Sequence, residues 1–353
     1  SREAGQMGRE AAPMKALVTG GGGFLGGAIA GMLRARGDAV WSFSRGRYAA
    51  LNKLDVEQVQ GDLADDKAVE SAMMGCDVVF HVAAKASLSG SLGEFQRTNV
   101  LGTEHVIQSC RRQNVRRLVY TSSPSVVFNG RDMEGVDESI PYPRHYEADY
   151  PKSKALAEMA VLRVNGPALA TVALRPHLIW GPGDTNLMPR ILARARAGRL
   201  RRIGKANKLI DSIYIDNAAQ AHLLAADRLY PGAPIAGKAY FLSNGEPMPI
   251  WDLINRILAC ADVPPVTRSV PVWLAIALGG ALESTYRLLG RSDEPPMTRF
   301  LARELSTAHW FDISAARGAF GYEPKITIEE GLRRLRDHLR NSSHPSDTAV
   351  NRV

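Results

Sequence analysis

From Lys15 to Ser123, short apolar runs alternate with longer stretches whose apolar positions recur every three or four residues. "KALVTG", "AVWSFSR", "CDVVFHVAA" and "VRRLVYTSS" read as buried strands. "FLGGAIAGMLRARG", ending near Gly37, "DKAVESAMMG" and "NVLGTEHVIQSCRRQ" read as the helices between them. Such alternation predicts an α/β fold with a doubly wound parallel sheet. "TVALRPHLIWG" supplies a later strand. Beyond Gly181 the order loosens into Arg-rich helices, Pro-bounded turns and isolated strands such as "AYFLSNG", which predicts a second, smaller lobe.

The turn between the first strand and its helix is "TGGGGFLG", Thr19 to Gly26. Glycine is a poor residue for either element, so its concentration here needs a reason. At Gly20, Gly23 and Gly26 the missing side chains let the backbone approach a pyrophosphate, and the helix opening there presents N–H groups and a positive dipole end. The position predicts a dinucleotide. The second strand ends "SFSRGR", which offers Ser44 and Arg45, with Arg47 close by, where a ribose-binding carboxylate would stand. A hydroxyl and a guanidinium suit a 2′-phosphate, so NADPH is expected over NADH; a solvated loop arginine is the plainer alternative. "GDL", Gly61 to Leu63, puts Asp62 either near the adenine or in a simple turn.

"DYPKSK" contains Tyr150 and Lys154 four residues apart, on one helix face, with Pro151 tolerable in the first turn. A neighbouring ammonium lowers a phenol's pKa, and the phenol can then exchange a proton with a substrate oxygen. "YTSSPS" ends a predicted strand with hydroxyls at Ser122 and Ser123, of which Ser123 is the expected donor to the same oxygen.

Taken in order, these motifs resemble the extended short-chain dehydrogenase/reductase family. The resemblance runs from about Lys15 to about Leu335 through "TGGGGFLG", "GDL", "HVAA" (His81–Ala84), "NVLGT" (Asn99–Thr103), "YTSS", "YPKSK" and "LRPHLIWGPGD" (Leu174–Asp184). It implies a Rossmann-type fold, with Ser123, Tyr150 and Lys154 as the catalytic set and Asn99 supporting the lysine through water. It also implies Pro176 beside the nicotinamide, and adds Phe24, Leu25, Leu63 and Ala83 to the cofactor surface. The division expected is a disordered tail over 1–13, an NADP-binding part mainly over 14–180, a substrate lobe mainly over 181–338 that returns strands to the first sheet, and a disordered tail over 339–353.

Within that family "YTSSPSV", "IDSIYIDNAAQAHLLA" and "LSTAHWFDISAARGAFGYEPKITIEEGL" are similar to the 3β-hydroxysteroid dehydrogenase branch. More narrowly, "LATVALRPHLIWGPGD", "GKAYFLSNGEP" and "TRFLARELSTAHW" resemble the bacterial 2-alkyl-3-oxoalkanoate reductases of long-chain olefin biosynthesis. That resemblance implies NADPH-dependent reduction of a branched β-keto acid and a lipid-like substrate. The competing reading is an NAD-preferring 3β-hydroxysteroid or sterol-4α-carboxylate dehydrogenase with the same catalytic set. A nucleotide-sugar epimerase is disfavoured because "VVFNG" stands where those enzymes carry "YG" after the serine. A silent NADPH sensor or scaffold would not need Ser, Tyr and Lys together.

Composition changes little. The chain has 353 residues, a net charge of +8 and three scattered cysteines, Cys76, Cys110 and Cys260, which fit a reducing cytoplasm better than a disulfide framework. Its basic clusters lack aromatic interleaving, so no nucleic-acid partner is expected. His81, His177 and His222 have no metal-ligand spacing, and no metal is assigned. Met14 is a candidate start, and the residues before it lack the apolar core of a signal peptide. Two stretches keep alternatives open. "VPVWLAIALGGALESTYRLLG", Val270 to Gly290, has an uncharged part short of the roughly 20 residues a bilayer needs. It is therefore a buried helix, a lid, or a helix lying on a membrane or partner enzyme. Arg190 to Arg202 is either a solvated face or a grip for a substrate carboxylate. A homodimer, and a complex with other olefin-pathway enzymes, follow only from the resemblance.

Overall fold

The apolar runs become neighbours in one sheet. The computed structural model describes residues 13–86, 90–291 and 295–343. Its main sheet consists of β1 (Lys15–Thr19), β2 (Ala39–Ser44), β3 (Glu57–Gln60), β4 (Val78–His81), β5 (Arg117–Thr121), β6 (Ala170–Pro176) and β7 (Lys238–Leu242). The order is β7-β6-β5-β4-β1-β2-β3, and every pairing is parallel. The winding reverses between β1 and β4, and the carboxyl ends of the strands open a crevice there.

Helices cover both faces, which is why the central strands read as continuous apolar runs. Along β1, Ala16 and Val18 join the core that includes Ile29 and Leu33 of α1 (Phe24–Arg36). Leu17 points the other way, into a core with Val69 of α2 (Asp66–Ala72), Val106 of α3 (Gly102–Arg112) and Val161 of α4 (Asp149–Arg163). On the first face α5 (Ile215–Arg228) packs beside α1, through residues such as Ala218 and Ala225. The chain leaves α1 through Gly37 at φ 95°, a left-handed cap that glycine adopts without strain.

The edge strand β3, "EQVQ", has no apolar run to announce it and remains partly exposed. The second lobe is built on a four-stranded sheet. Met133–Val136 pairs with His309–Phe311, which pairs with Leu209–Ile210, and that pairs with Met248–Pro249. Residues 133–136, from the first half of the chain, therefore belong to the second sheet, while β7 returns to the first. The last helix, Ile328–Ser343, runs into the stretch expected to be a tail from 339. The expectation of disorder is corrected for 339–343, where "EEGLRRLRDHLRNSS" sustains helical spacing with acidic residues in its first turn. Residues 1–12 and 344–353, the rest of the expected tails, lie outside the described residues.

The apolar stretch forms a helix over Val272–Leu288 whose only buried residues are Ala275 and Gly279. A Cβ at Gly279 would stand 2.6 Å from the carbonyl carbon of Thr298, so glycine permits this contact. Trp273 and Leu288 are 70% and 86% exposed, so the helix lies on the surface and the buried alternative is set aside. No described helix is long and apolar enough to cross a membrane.

Candidate active site

The glycine turn is shaped by contacts that exclude side chains. Gly20 has φ +73°, donates its N–H to the Phe43 carbonyl at 2.8 Å, and would place a Cβ 2.9 Å from Ala83 Cα. A Cβ on Gly26 would fall 2.2 Å from the Gly20 carbonyl oxygen, so α1 sits directly on the turn. Gly23 caps α1 with no side-chain hydrogen bond, and the first turn carries no acidic residue. The helix therefore keeps unsatisfied N–H donors and an uncompensated positive end, which fits a pyrophosphate. Phe24 is half-buried, whereas Leu25 is buried in the core, leaving only its backbone for a ligand. Tyr48, a residue that the sequence patterns did not single out, lies over Gly22: a Cβ there would stand 2.1 Å from its ring.

Around the turn, Thr19 Oγ1 accepts from the N–H groups of Val82 and Ala83, both at 3.1 Å, and pairs with His81 Nδ1 at 2.8 Å. The other ring nitrogen of His81 pairs with Thr103 Oγ1 at 2.9 Å. Burial, with Lys154 nearby, lowers His81 to about 3, so it stays neutral and ties β1, β4 and α3 together. His222 is likewise engaged, by Thr121 and by the Ala218 carbonyl. At the end of β2, Ser44 is half-buried, and Arg45 and Arg47 are exposed with no ion pair to a described residue. Asp62 accepts from Ala64 N–H at 2.9 Å, closing a turn, and stands 3.6 Å from Arg97. Leu63 is buried against Gly102, where a Cβ would approach Leu63 Cβ to 2.8 Å.

Ser123, Tyr150 and Lys154 converge at the carboxyl ends of β5 and β6. Ser123 Oγ accepts from Ser125 N–H at 3.2 Å and from Ser125 Oγ at 2.9 Å. Both lone pairs are then used, and its own proton is left for Tyr150, whose phenol Ser123 lowers. Ser122 is buried, and its hydroxyl has no partner among the described residues. The geometry thus brings Ser123, not Ser122, to Tyr150. Lys154 is buried, donates to the Thr121 carbonyl at 2.6 Å and lies 4.3 Å from the centre of the Tyr120 ring.

The expectation that the lysine lowers the phenol is corrected in the protein by itself. Burial pushes Tyr150 up to about 12, against the Ser123 hydrogen bond and with help from the charge of Glu304. The same burial lowers Lys154 to about 7, with Glu158 opposing it.

Asn99 lies within a π-helical turn, Gln96–Leu101, that continues into α3. Its amide accepts from Lys85 N–H at 2.7 Å and donates to the Lys85 carbonyl at 3.1 Å and to Ser153 Oγ at 2.9 Å. Ser153 in turn donates to the Tyr150 carbonyl at 2.8 Å. The structure thus links Asn99 to the start of α4 directly. Pro176 ends β6, buried and paired with Leu242.

Three wall residues were not anticipated as site residues: His177, His309 and Glu304. His177 Nε2 pairs with His309 Nδ1 at 2.7 Å, and His309 Nε2 with the Glu304 carbonyl at 2.8 Å. They stand within quoted stretches, His177 in "LRPHLIWGPGD" and Glu304 and His309 in "TRFLARELSTAHW", but neither stretch assigned them a role. The Arg-rich stretch turns outward, with Arg190, Arg196 and Arg199 exposed and Arg201 bonded to the Gly198 and Leu200 carbonyls.

Comparison with known proteins agrees with this arrangement. Residues 17–271 match the 3-beta hydroxysteroid dehydrogenase/isomerase family. A protein of Shewanella oneidensis named 2-alkyl-3-oxoalkanoate reductase is 51% identical over 92% of this chain and 86% of its own. One of the same name from Stenotrophomonas maltophilia is 50% identical over 92% of this chain and 98% of its own. Among solved structures, the UDP-glucose 4-epimerase of Thermus thermophilus, in complex with NAD, superposes with a TM-score of 0.71 at 24% identity. That match covers 93% of this chain and all of the other, and shares the fold.

Proposed function

The chain belongs to the 3-beta hydroxysteroid dehydrogenase/isomerase family of NAD(P)-dependent oxidoreductases, and on that premise we propose that it reduces a 2-alkyl-3-oxoalkanoate to the 2-alkyl-3-hydroxyalkanoate with NADPH. The observation that carries the substrate is identity of about half the residues, across nine-tenths of the chain, to two reductases of that name. Ser44, Arg45 and Arg47 carry the preference for NADPH, because two guanidinium groups with no ion pair to a described residue stand at the end of β2 and suit a 2′-phosphate.

The turn from Gly20 to Gly26 and the first N–H groups of α1 would hold the pyrophosphate, Asp62, Leu63 and Ala83 the adenine side, and Pro176 the nicotinamide side. When bound, the reduced cofactor supplies the hydride that the carbonyl carbon accepts. Ser123 donates a hydrogen bond to the carbonyl oxygen and polarises it. Tyr150, held protonated at neutral pH by its burial, gives its phenolic proton to that oxygen. Ser123 then stabilises the phenolate left behind, and so does Lys154 in its charged form. Asn99, through Ser153, fixes the turn of α4 from which Tyr150 projects.

The same reading places the enzyme in the cytoplasm, in long-chain olefin biosynthesis, where a β-lactone-forming enzyme would take up the β-hydroxy acid. The exposed face of helix 272–288 is then the surface toward a membrane or a pathway enzyme, and a homodimer is the expected assembly.

The test follows oxidation of NADPH and of NADH with a racemic 2-alkyl-3-oxo fatty acid, beside oxidation of a 3β-hydroxysteroid. Turnover of the keto acid with NADPH, falling on the order of 10²–10⁴-fold in Tyr150→Phe, is the expected result. Turnover of the steroid with NAD alone would overturn both substrate and cofactor.

A further inference from the structure

Four glycines run together at the first turn, two more than a dinucleotide pattern needs. Gly20 uses its left-handed φ, and a Cβ on Gly23 or Gly26 would stand 3.2 or 2.2 Å from the Gly20 carbonyl oxygen. Gly21 and Gly22 have no left-handed φ, so space rather than conformation keeps them bare. A Cβ on Gly21 would stand 2.5 Å from Ser42 Oγ. One on Gly22 would stand 2.1 Å from Tyr48 Cε2 and 2.4 Å from Cζ, the carbon that carries the hydroxyl. The Tyr48 ring is therefore seated on the turn, where a side chain of residue 22 would otherwise lie.

Two glutamines of the edge strand β3 hold it there. Gln58 Oε1 accepts from the Tyr48 N–H at 2.8 Å, and Gln58 Nε2 donates to the Tyr48 carbonyl at 3.1 Å. Two residues on, Gln60 Nε2 donates to the Arg45 carbonyl at 2.8 Å. The loop Arg45–Tyr48 is thus tied to β3 at both ends. A Cβ on Gly46 would lie 3.6 Å from the Tyr48 hydroxyl oxygen, so the loop closes on the polar end of the ring. Tyr48 is 40% exposed, and its hydroxyl has no hydrogen-bond partner among the described residues.

The surroundings of that hydroxyl favour an anion. Ser44 ends β2 beside it in the chain, and Arg45 and Arg47 flank Gly46. Residues 39–54 contain no acid, and Asp55, the next one, is bound to Arg34 at 2.6 Å. Exposed arginines supply charge to any anion that approaches. A phenol fixed on the turn supplies direction, and its hydrogen bond to a charged phosphate oxygen is stronger than one to a neutral ribose hydroxyl.

We propose that Tyr48 selects the phosphorylated cofactor: its hydroxyl donates a hydrogen bond to the 2′-phosphate, from a ring that the bare Gly22 admits onto the turn. This rests on the reading of the cofactor as NADPH and adds a donor of fixed position to the two arginines.

The experiment measures binding of NADP⁺ and NAD⁺, which differ only in the 2′-phosphate, to the full chain by calorimetry. Wild type, Tyr48→Phe and Arg45→Ala are compared. Tyr48→Phe keeps the ring on Gly22 and removes only the hydroxyl. It should weaken NADP⁺ by about tenfold and leave NAD⁺ unchanged. Equal weakening of both dinucleotides would make Tyr48 a prop of the turn, and an unchanged NADP⁺ affinity would place its hydroxyl away from the phosphate; either result overturns the proposal. Discrimination that is lost in Arg45→Ala but kept in Tyr48→Phe would leave the NADPH reading standing without this one. A wild-type protein that binds the two dinucleotides equally would sink both.

Discussion

Two glutamates of this molecule, Glu158 and Glu304, have opposite surroundings. Glu158, fully buried on α4, receives Arg175 Nε at 3.0 Å, Arg175 Nη2 at 2.6 Å and the Tyr142 hydroxyl at 2.5 Å. Glu304 receives nothing on its carboxyl from any described residue. A buried charge with its partners in place is part of the frame, whereas the half-buried Glu304 has no such frame around it. The positions agree. Glu158 lies on the helix that carries Tyr150 and Lys154, and Arg175 precedes Pro176, so their pair straps α4 to β6.

The comparison breaks if removing the two carboxyls has the same effect. Glu158→Ala leaves Arg175 buried and unmatched, and should cost about 3–5 kcal/mol of stability, read from the denaturant midpoint. Glu304→Gln should act with the opposite sign. A carboxyl raised by folding to about 7 contributes stability that is present below its unfolded value of about 4.3 and is lost as pH rises through 7. The Gln variant should therefore match the wild type near pH 4 and exceed it near pH 9, by about 1–2 kcal/mol once partial exposure is allowed for. Equal stability at both pH values would show that Glu304 has a partner after all. Tyr142→Phe, which removes one of three donors to Glu158, should cost about 1 kcal/mol with no change in pH dependence; a loss as large as that of Glu158→Ala would make the tyrosine, not the arginine, the main support.

The sequence made the nucleotide half legible because its signals are local. A strand, a glycine turn and a helix adjoin one another, and the motifs from "TGGGGFLG" to "YPKSK" need only be read in order. β3 escaped because an edge strand with two half-exposed sides has no apolar run. The paired segments 202–203, 209–210, 213–214, 248–249 and 269–270 are too short to carry any period. Glu304 escaped for a different reason: glutamate before "LSTAHW" says nothing until the fold withholds every counter-charge from it. Spacing did put Tyr150 and Lys154 on one face, yet the direction of the tyrosine's shift depended on burial, which no spacing encodes.

The interleaving of the two sheets also sets an order of assembly. The main sheet has its last strand once residue 242 has emerged, so a nascent chain holds every strand of the nucleotide crevice by then. Met133–Val136 must wait for His309–Phe311 before it has a neighbour at all. During synthesis that strand is an open edge, and an edge without a partner invites pairing with another chain. The wall bearing Glu304 thus arrives after every strand of the main sheet, and a chain ended before residue 309 would leave that edge permanently exposed.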